Sequence, residues 1–198
     1  MTIVVAYQGE PGAFSELAIV ALWGDGATPL SCARFADVVA AVEDGRAELG
    51  LLPTENSIAG PVRESVAAIE ASSLTVVRAT ELPIHLSLLA LPGATLESLR
   101  SVESHPVALR QCAEFVKAHP HLTAREAQDT AGAAREVAMA GDRTRGAIAS
   151  SRAGVLNGLV TLAEGLEDRA DNVTQFAIIA RDASTQPAER ARRPQTAR

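Results

Sequence analysis

Cysteine is scarce in this chain, with only Cys32 and Cys112 among 198 residues. Two thiols exclude a disulfide-stapled scaffold and a four-thiolate zinc site. Lysine is scarcer still. Of the 18 basic residues only Lys117 is a lysine, so Schiff-base chemistry would rest on one side chain in a polar helical stretch. No apolar run approaches the roughly 18–20 residues of a membrane span. The first nine residues carry no basic segment before the turn at Gly9. They read as a first strand rather than a signal peptide, and the expected compartment is the cytoplasm. The chain also lacks a G-x-G-x-x-G fingerprint, a Walker loop, a G-x-S-x-G elbow and an H-E-x-x-H pair, so the common nucleotide, acyl-transfer and zinc motifs are missing. The four histidines, His85, His105, His119 and His121, have no ligand spacing. No metal and no cofactor is expected.

Charge is unevenly spread. The net charge is −6, yet Ser184–Arg198 carries four arginines and one glutamate. The remainder therefore has a net charge of −9, which repels phosphate backbones and argues against nucleic-acid binding. The tail lacks apolar periodicity and is expected to be disordered over 184–198.

What the chain does have is alternation. Residues 2–7, 29–34, 47–52, 101–103, 122–127, 146–149, 159–163 and 173–180 read as strands. Residues 13–23, 35–44, 105–118, 129–140 and 151–157 read as helices, and Gly60-Pro61 starts another. Segment 74–91 reads as one or two strands bent at Pro83. The pattern implies an α/β fold with largely parallel sheets. Two sets of about 80 residues suggest two lobes: 1–80 plus 173–183, and 81–172, with a cleft between them.

Ligands of open α/β sheets bind beyond the carboxyl ends of strands, and three polar clusters fall there. Pro53-Thr54-Glu55-Asn56-Ser57 offers a carboxyl, an amide and a hydroxyl, although a capped helix start would use the same residues. In Ser104-His105-Pro106, Ser104 reads as an N-cap with Pro106 in the first turn. Gln111 lies two turns on, with small Ala108 between. Asp129-Thr130-Ala131-Gly132 could turn backbone N–H groups toward an anion, or could simply be a close-packed helix start.

Together these segments resemble the catalytic domain of prephenate dehydratase. The matching stretches are Tyr7–Glu16, Leu52–Gly60, Ser104-His105-Pro106 with Gln111-Cys112, Asp129–Ala134 and Asn172-Val173-Thr174-Gln175-Phe176. The resemblance implies a two-lobed fold of the type II periplasmic-binding-protein kind. It implies conversion of prephenate to phenylpyruvate, water and carbon dioxide on the route to phenylalanine, without cofactor. It suggests Thr174 as the central catalytic residue and Glu55 as an acid behind it. Asn56, Ser57, Ser104, Gln111, Thr130, Gln175 and Phe176 would contact substrate. The expected partner is a small molecule, with no nucleic acid and no membrane, and a homodimer is an open assembly. Arogenate dehydratase is the neighbouring reading, and a non-catalytic acid-binding module on the same fold is the reading from a different class.

The sequence departs from the family at two points. The family's Thr-Arg-Phe reads Thr174-Gln175-Phe176, so a carboxylate held there by arginine needs other donors. Backbone N–H groups near Ala13-Phe14, Ile58-Ala59 and Thr130-Ala131 are candidates, as is Arg169. The chain also ends about seventeen residues after Arg181. That is too short for the family's ACT regulatory domain, so no allosteric response to phenylalanine is expected.

Overall fold

The computed structural model describes residues 2–183 and 185, and the tail expectation for 184–198 otherwise lies outside the described residues. The chain opens with β1 (Ile3–Gln8), α1 (Phe14–Trp23), β2 (Ala27–Cys32), α2 (Phe35–Glu43), β3 (Leu49–Asn56), β4 (Gly60–Pro61), α3 (Arg63–Glu70) and β5 (Thr75–Pro83). It continues through β6 (Ser87–Ala90), β7 (Ser101–Ser104), α4 (Pro106–Gln111), α5 (Ala113–Ala118), β8 (Thr123–Glu126) and α6 (Thr130–Ala140). It closes with β9 (Arg145–Ala149), α7 (Ser151–Leu156), β10 (Val160–Glu164) and β11 (Val173–Ala180).

These elements form two sheets. One runs β2-β1-β3-β11-β5 with β4 beside β3, and the other runs β10-β6-β9-β7-β8. Both are mixed, which corrects the largely parallel expectation. β1 is parallel to β2 and β3, but β11 lies antiparallel between β3 and β5. The reason is the connection. The chain leaves the first sheet after Pro83 and returns at Val173, so the returning strand enters from the opposite end. The two crossing segments pair where they pass, Ile84 N–H donating to Asn172 O at 2.8 Å.

Strand alternation builds two cores on each sheet. In the first sheet, Val5, Tyr7, Leu49, Leu51, Phe176 and Ile178 pack with Ile19 and Trp23 of α1. The intervening Ala6, Leu52 and Ile179 pack with Val38 and Val42 of α2. Gly50 permits that second contact, because a Cβ there would sit 2.8 Å from Ile179 Cγ1. In the second sheet, Leu88, Val102 and Ile148 face one core, and Leu89, Ala147 and Ala149 face α6 and α7.

The lobes touch directly beside the cleft. Ser150 Oγ donates to Gly12 O at 2.6 Å. Glu16, 5% exposed, accepts the Gly12 N–H and pairs with Arg152 at 2.6 Å. Gly12 has φ +92°, and a Cβ on it would lie 2.6 Å from Ala153 Cα. Only glycine lets the lobes approach this closely.

Two element boundaries differ from the sequence reading. Gly60-Pro61 pairs with Glu55 and Asn56 as a short hairpin arm, and the helix begins at Arg63. The helix expected over 105–118 breaks at Cys112, which has φ −117° and ψ 28°. The break has a tertiary cause: the Asp168 carboxylate accepts the N–H groups of Ala113 and Glu114 at 3.0 and 3.1 Å, capping α5 from 55 residues away.

Candidate active site

A cavity of about 430 Å³ opens between the lobes. From the first lobe it is lined by Pro53, Asn56, Thr174 and Phe176, with Phe14 and Ser15 from the start of α1. From the second lobe come Ile84, Leu86, His105, Ala108, Gln111 and Thr130. The walls are mainly apolar and the polar groups few, as in small-molecule sites generally.

A bulge in β3 aims the first of those polar groups. Opposite β11, Glu55 pairs with Gln175 but Phe176 pairs with Pro53, so Thr54 is the extra residue. A bulge shifts the alternation of the strand by one. Without it, Asn56 would share the face of Leu52 and point away from the cleft. With it, Pro53 and Asn56 both line the cavity, and Asn56 stands opposite Thr174. Pro53 has no N–H to give the ladder, and a bulge is where a strand tolerates that loss. The strand therefore runs on to Asn56 instead of stopping at Pro53.

Asn56 is the hub of a polar network. Its Nδ2 donates to Asn172 Oδ1 at 2.8 Å and to Thr174 Oγ1 at 3.0 Å, with a weaker contact to Val173 O at 3.3 Å. Its Oδ1 accepts the N–H groups of Ile58 and Ala59 at 3.1 and 2.9 Å and Gln111 Nε2 at 3.3 Å. Ile58-Ala59 is thus a hairpin turn folded onto Asn56, not a helix start. Asn172, only 1% exposed, donates from Nδ2 to Gln111 Oε1 at 3.3 Å. Residues 56, 111, 172 and 174 form one connected set spanning both lobes. Because Thr174 Oγ1 accepts from Asn56, its own O–H proton is left to be donated elsewhere.

The structure separates the other candidates. Thr130 and Phe176 line the cavity. Ser104 does not: it is 0% exposed, and its hydroxyl donates to Ile148 O at 2.5 Å. The N-cap of α4 is the next residue, His105, whose Nδ1 accepts the Val107 N–H at 3.2 Å. Ser57 is spent on the crossing segment, donating to Asp171 O at 2.7 Å and accepting Val173 N–H at 2.9 Å. Glu55 is exposed outside the cavity, on the side to which the bulge turns it, so it is not an acid behind Thr174. Gln175 follows Thr174 on β11 and faces the other way, into a groove with Val66, Ile69 and Thr80. Arg169 is paired with Asp171 at 2.6 Å outside the cavity. Asn172 and His105 were missed as site residues, although each lies inside a matched motif.

The electrostatics of the cavity are unusual. Among the described residues its lining holds no lysine or arginine, and its one carboxylate is Asp129, which caps α6 by accepting the Gly132 N–H at 2.7 Å. Burial and the Arg110 charge hold the His105 pKa below its ordinary value, against the pull of Asp129 and Glu126, which favours the neutral ring. No side chain caps α1 at Ala13, leaving first-turn N–H groups beside Phe14 and Ser15 for a ligand.

Comparisons with known proteins bear on the fold and the family. "Arogenate dehydratase 1" of Petunia hybrida is 42% identical over 91% of this chain and 43% of its own length. The chain thus spans less than half of that relative. A solved prephenate dehydratase from Arthrobacter aurescens, in complex with L-Phe, superposes with a TM-score of 0.84 at 29% identity, covering 91% of this chain and 61% of that one. A periplasmic substrate-binding protein from Coxiella burnetii, 14% identical, shares the fold at a TM-score of 0.50 over 93% of this chain and 87% of its own. Residues 5–184 match the family model described as prephenate dehydratase, and the chain belongs to the prephenate dehydratase family.

Proposed function

We propose that this chain catalyses the decarboxylating dehydration of prephenate to phenylpyruvate, water and carbon dioxide, a lyase reaction on the route to phenylalanine. One observation carries the reading. A threonine hydroxyl is held by an amide donor in an apolar cavity, with its own proton free to be given.

The reaction needs little more. Breaking the bond between the ring and its carboxylate releases carbon dioxide, and that electron pair moves through the ring to expel hydroxide from the opposite carbon. The hydroxide takes one proton and leaves as water, and the ring becomes aromatic. No strong base is required. Thr174 is a weak acid, so its part is a hydrogen bond to the departing oxygen or relay of a proton, a class of assistance worth about 10²–10⁴-fold. The apolar walls help the other end of the molecule. A carboxylate disperses its charge as carbon dioxide forms, and so loses less by being held away from water than it would in the ground state. In this reading Thr130 and the first turn of α1, which line the cavity, help to hold the retained carboxylate, and the Asn56 network fixes Thr174.

A second reading is arogenate as substrate. A cavity whose only charged lining group among the described residues is the Asp129 carboxylate suits a molecule that carries an ammonium better than a dianion. Both readings are tested together by offering purified protein prephenate and arogenate and following the aromatic product. Thr174→Val, which keeps volume and removes the hydroxyl, is expected to lower kcat by roughly 10²-fold with an unchanged circular dichroism spectrum. Turnover of neither substrate by the wild type overturns the reading.

A further inference from the structure

His105 occupies a position that helix capping alone does not use up. Its Nδ1 accepts the Val107 N–H at 3.2 Å. A ring nitrogen that accepts an N–H carries no proton, so the proton of the neutral ring is on Nε2. The ring lines the cavity, and no protein group among the described residues accepts from Nε2. The side-chain amides beside it are committed, which leaves the Thr174 and Thr130 hydroxyls and the first turn of α1 as the other donors. Asn56 Nδ2 serves Asn172, Val173 and Thr174. Gln111 gives one N–H to Asn56 and accepts from Asn172. A ligand with a carboxylate therefore meets, among the described residues, a cavity without a lysine or arginine in its lining and with an imidazole there whose Nε2–H no protein group accepts.

We propose that His105 contacts the substrate, donating Nε2–H to an oxygen of the retained side-chain carboxylate, the one that phenylpyruvate keeps, with its tautomer set by the helix cap it makes through Nδ1. This rests on the dehydratase reading and adds a specific residue to it. A neutral donor has a chemical advantage over arginine here. It orients the retained carboxylate by direction without bringing into the cavity a fixed positive charge that would also stabilise the ring carboxylate against loss as carbon dioxide. Burial supports the neutral form, and protonation would remove the acceptor that makes the cap while adding the fixed charge that a neutral donor avoids. A doubly protonated ring has no acceptor for Val107.

Two isosteric variants separate cap from contact. His105→Asn keeps an acceptor at the Nδ1 position and removes the group at Nε2. His105→Gln keeps an N–H near the Nε2 position and loses the cap. The expected result is that H105N retains the wild-type Tm while its KM rises roughly tenfold, the scale of a lost hydrogen bond to a charged group. H105Q should melt lower and keep a KM nearer the wild type. An unchanged KM in H105N, or losses in both variants that simply follow Tm, overturns the proposal. A measurement on the wild type does not depend on turnover: ¹⁵N-histidine NMR with phenylpyruvate as the probe. The His105 ring should show the Nε2–H tautomer before addition and a downfield shift of that proton after it. If the wild type turns over neither prephenate nor arogenate, the dehydratase reading fails, and this titration still decides the contact. A shift at Nε2–H sustains it, and an unperturbed ring at saturating phenylpyruvate overturns it.

Discussion

Asn56→Asp tests the polar network most sharply, because it alters one end of the side chain and spares the other. The oxygen that accepts the Ile58 and Ala59 N–H groups at 3.1 and 2.9 Å is retained, so the hairpin turn survives. The nitrogen that donates to Asn172 Oδ1 at 2.8 Å and Thr174 Oγ1 at 3.0 Å becomes a carboxylate oxygen. The bond to Asn172 Oδ1 is lost and an anion faces that acceptor, while the bond to Thr174 reverses direction, so the expected destabilisation is about 1–3 kcal/mol. Activity should suffer more than stability. The Thr174 hydroxyl can now rotate to donate to the new carboxylate, which withdraws its proton from the cavity. The expected kcat is lower by roughly 10²-fold, with KM changed less. Protonating the new group restores an O–H donor toward Thr174. The variant's kcat relative to wild type should therefore rise as pH falls toward the range where that carboxyl protonates. Steady-state kinetics across pH, with urea melts for stability, read both effects. A variant with wild-type kcat, or one whose relative kcat falls with pH, would refute the idea that Asn56 frees the Thr174 proton.

Gln175→Arg should leave KM for either substrate unchanged, since position 175 faces the groove beside Val66 and Thr80 and not the cavity; a lowered KM for prephenate overturns that placement. Gly12→Ala should lower Tm by several degrees and cut turnover, because the new Cβ meets Ala153 backbone at 2.6 Å and the native φ is +92°; calorimetry and kinetics on one sample check it. Cys112, with its thiol pushed up to about 12 by burial and by Asp168 and Glu167, should resist a thiol reagent at pH 8 until the protein is unfolded, while partly exposed Cys32 reacts in the native state. Stability should also fall as pH drops below about 6.5, since the His105 pKa is lower in the folded state than in the unfolded chain and the stabilisation present above the unfolded value is lost as the ring protonates.

Much of the architecture was legible in the chain itself. Alternation in Val4-Val5-Ala6-Tyr7 and Ala177-Ile178-Ile179 specified strands with two buried faces, and the helices of 13–23, 35–44 and 129–140 followed from apolar spacing and their stops. These are local properties, decided by period and cap. Even the outward direction of Gln175 was available, because neighbours on a strand face opposite ways, so only one of Thr174 and Gln175 could face the cleft.

What the tertiary structure decided is which side chains meet. Period-two counting from Leu49 and Leu51 puts Glu55 on the cleft face and Asn56 behind it. The bulge at Thr54 reverses both, and a bulge exists only where two strands of different register are joined. The break at Cys112 depends on Asp168, and the roles of Ser104 and His105 turn on one residue of helix boundary and on a carbonyl of Ile148 brought from 44 residues away. Asn56, Gln111 and Asn172 carry no shared signal in the chain. Their hydrogen bonds exist because the chain crosses between the lobes twice, and only the folded crossing joins three amides and a threonine in one network beside the cavity.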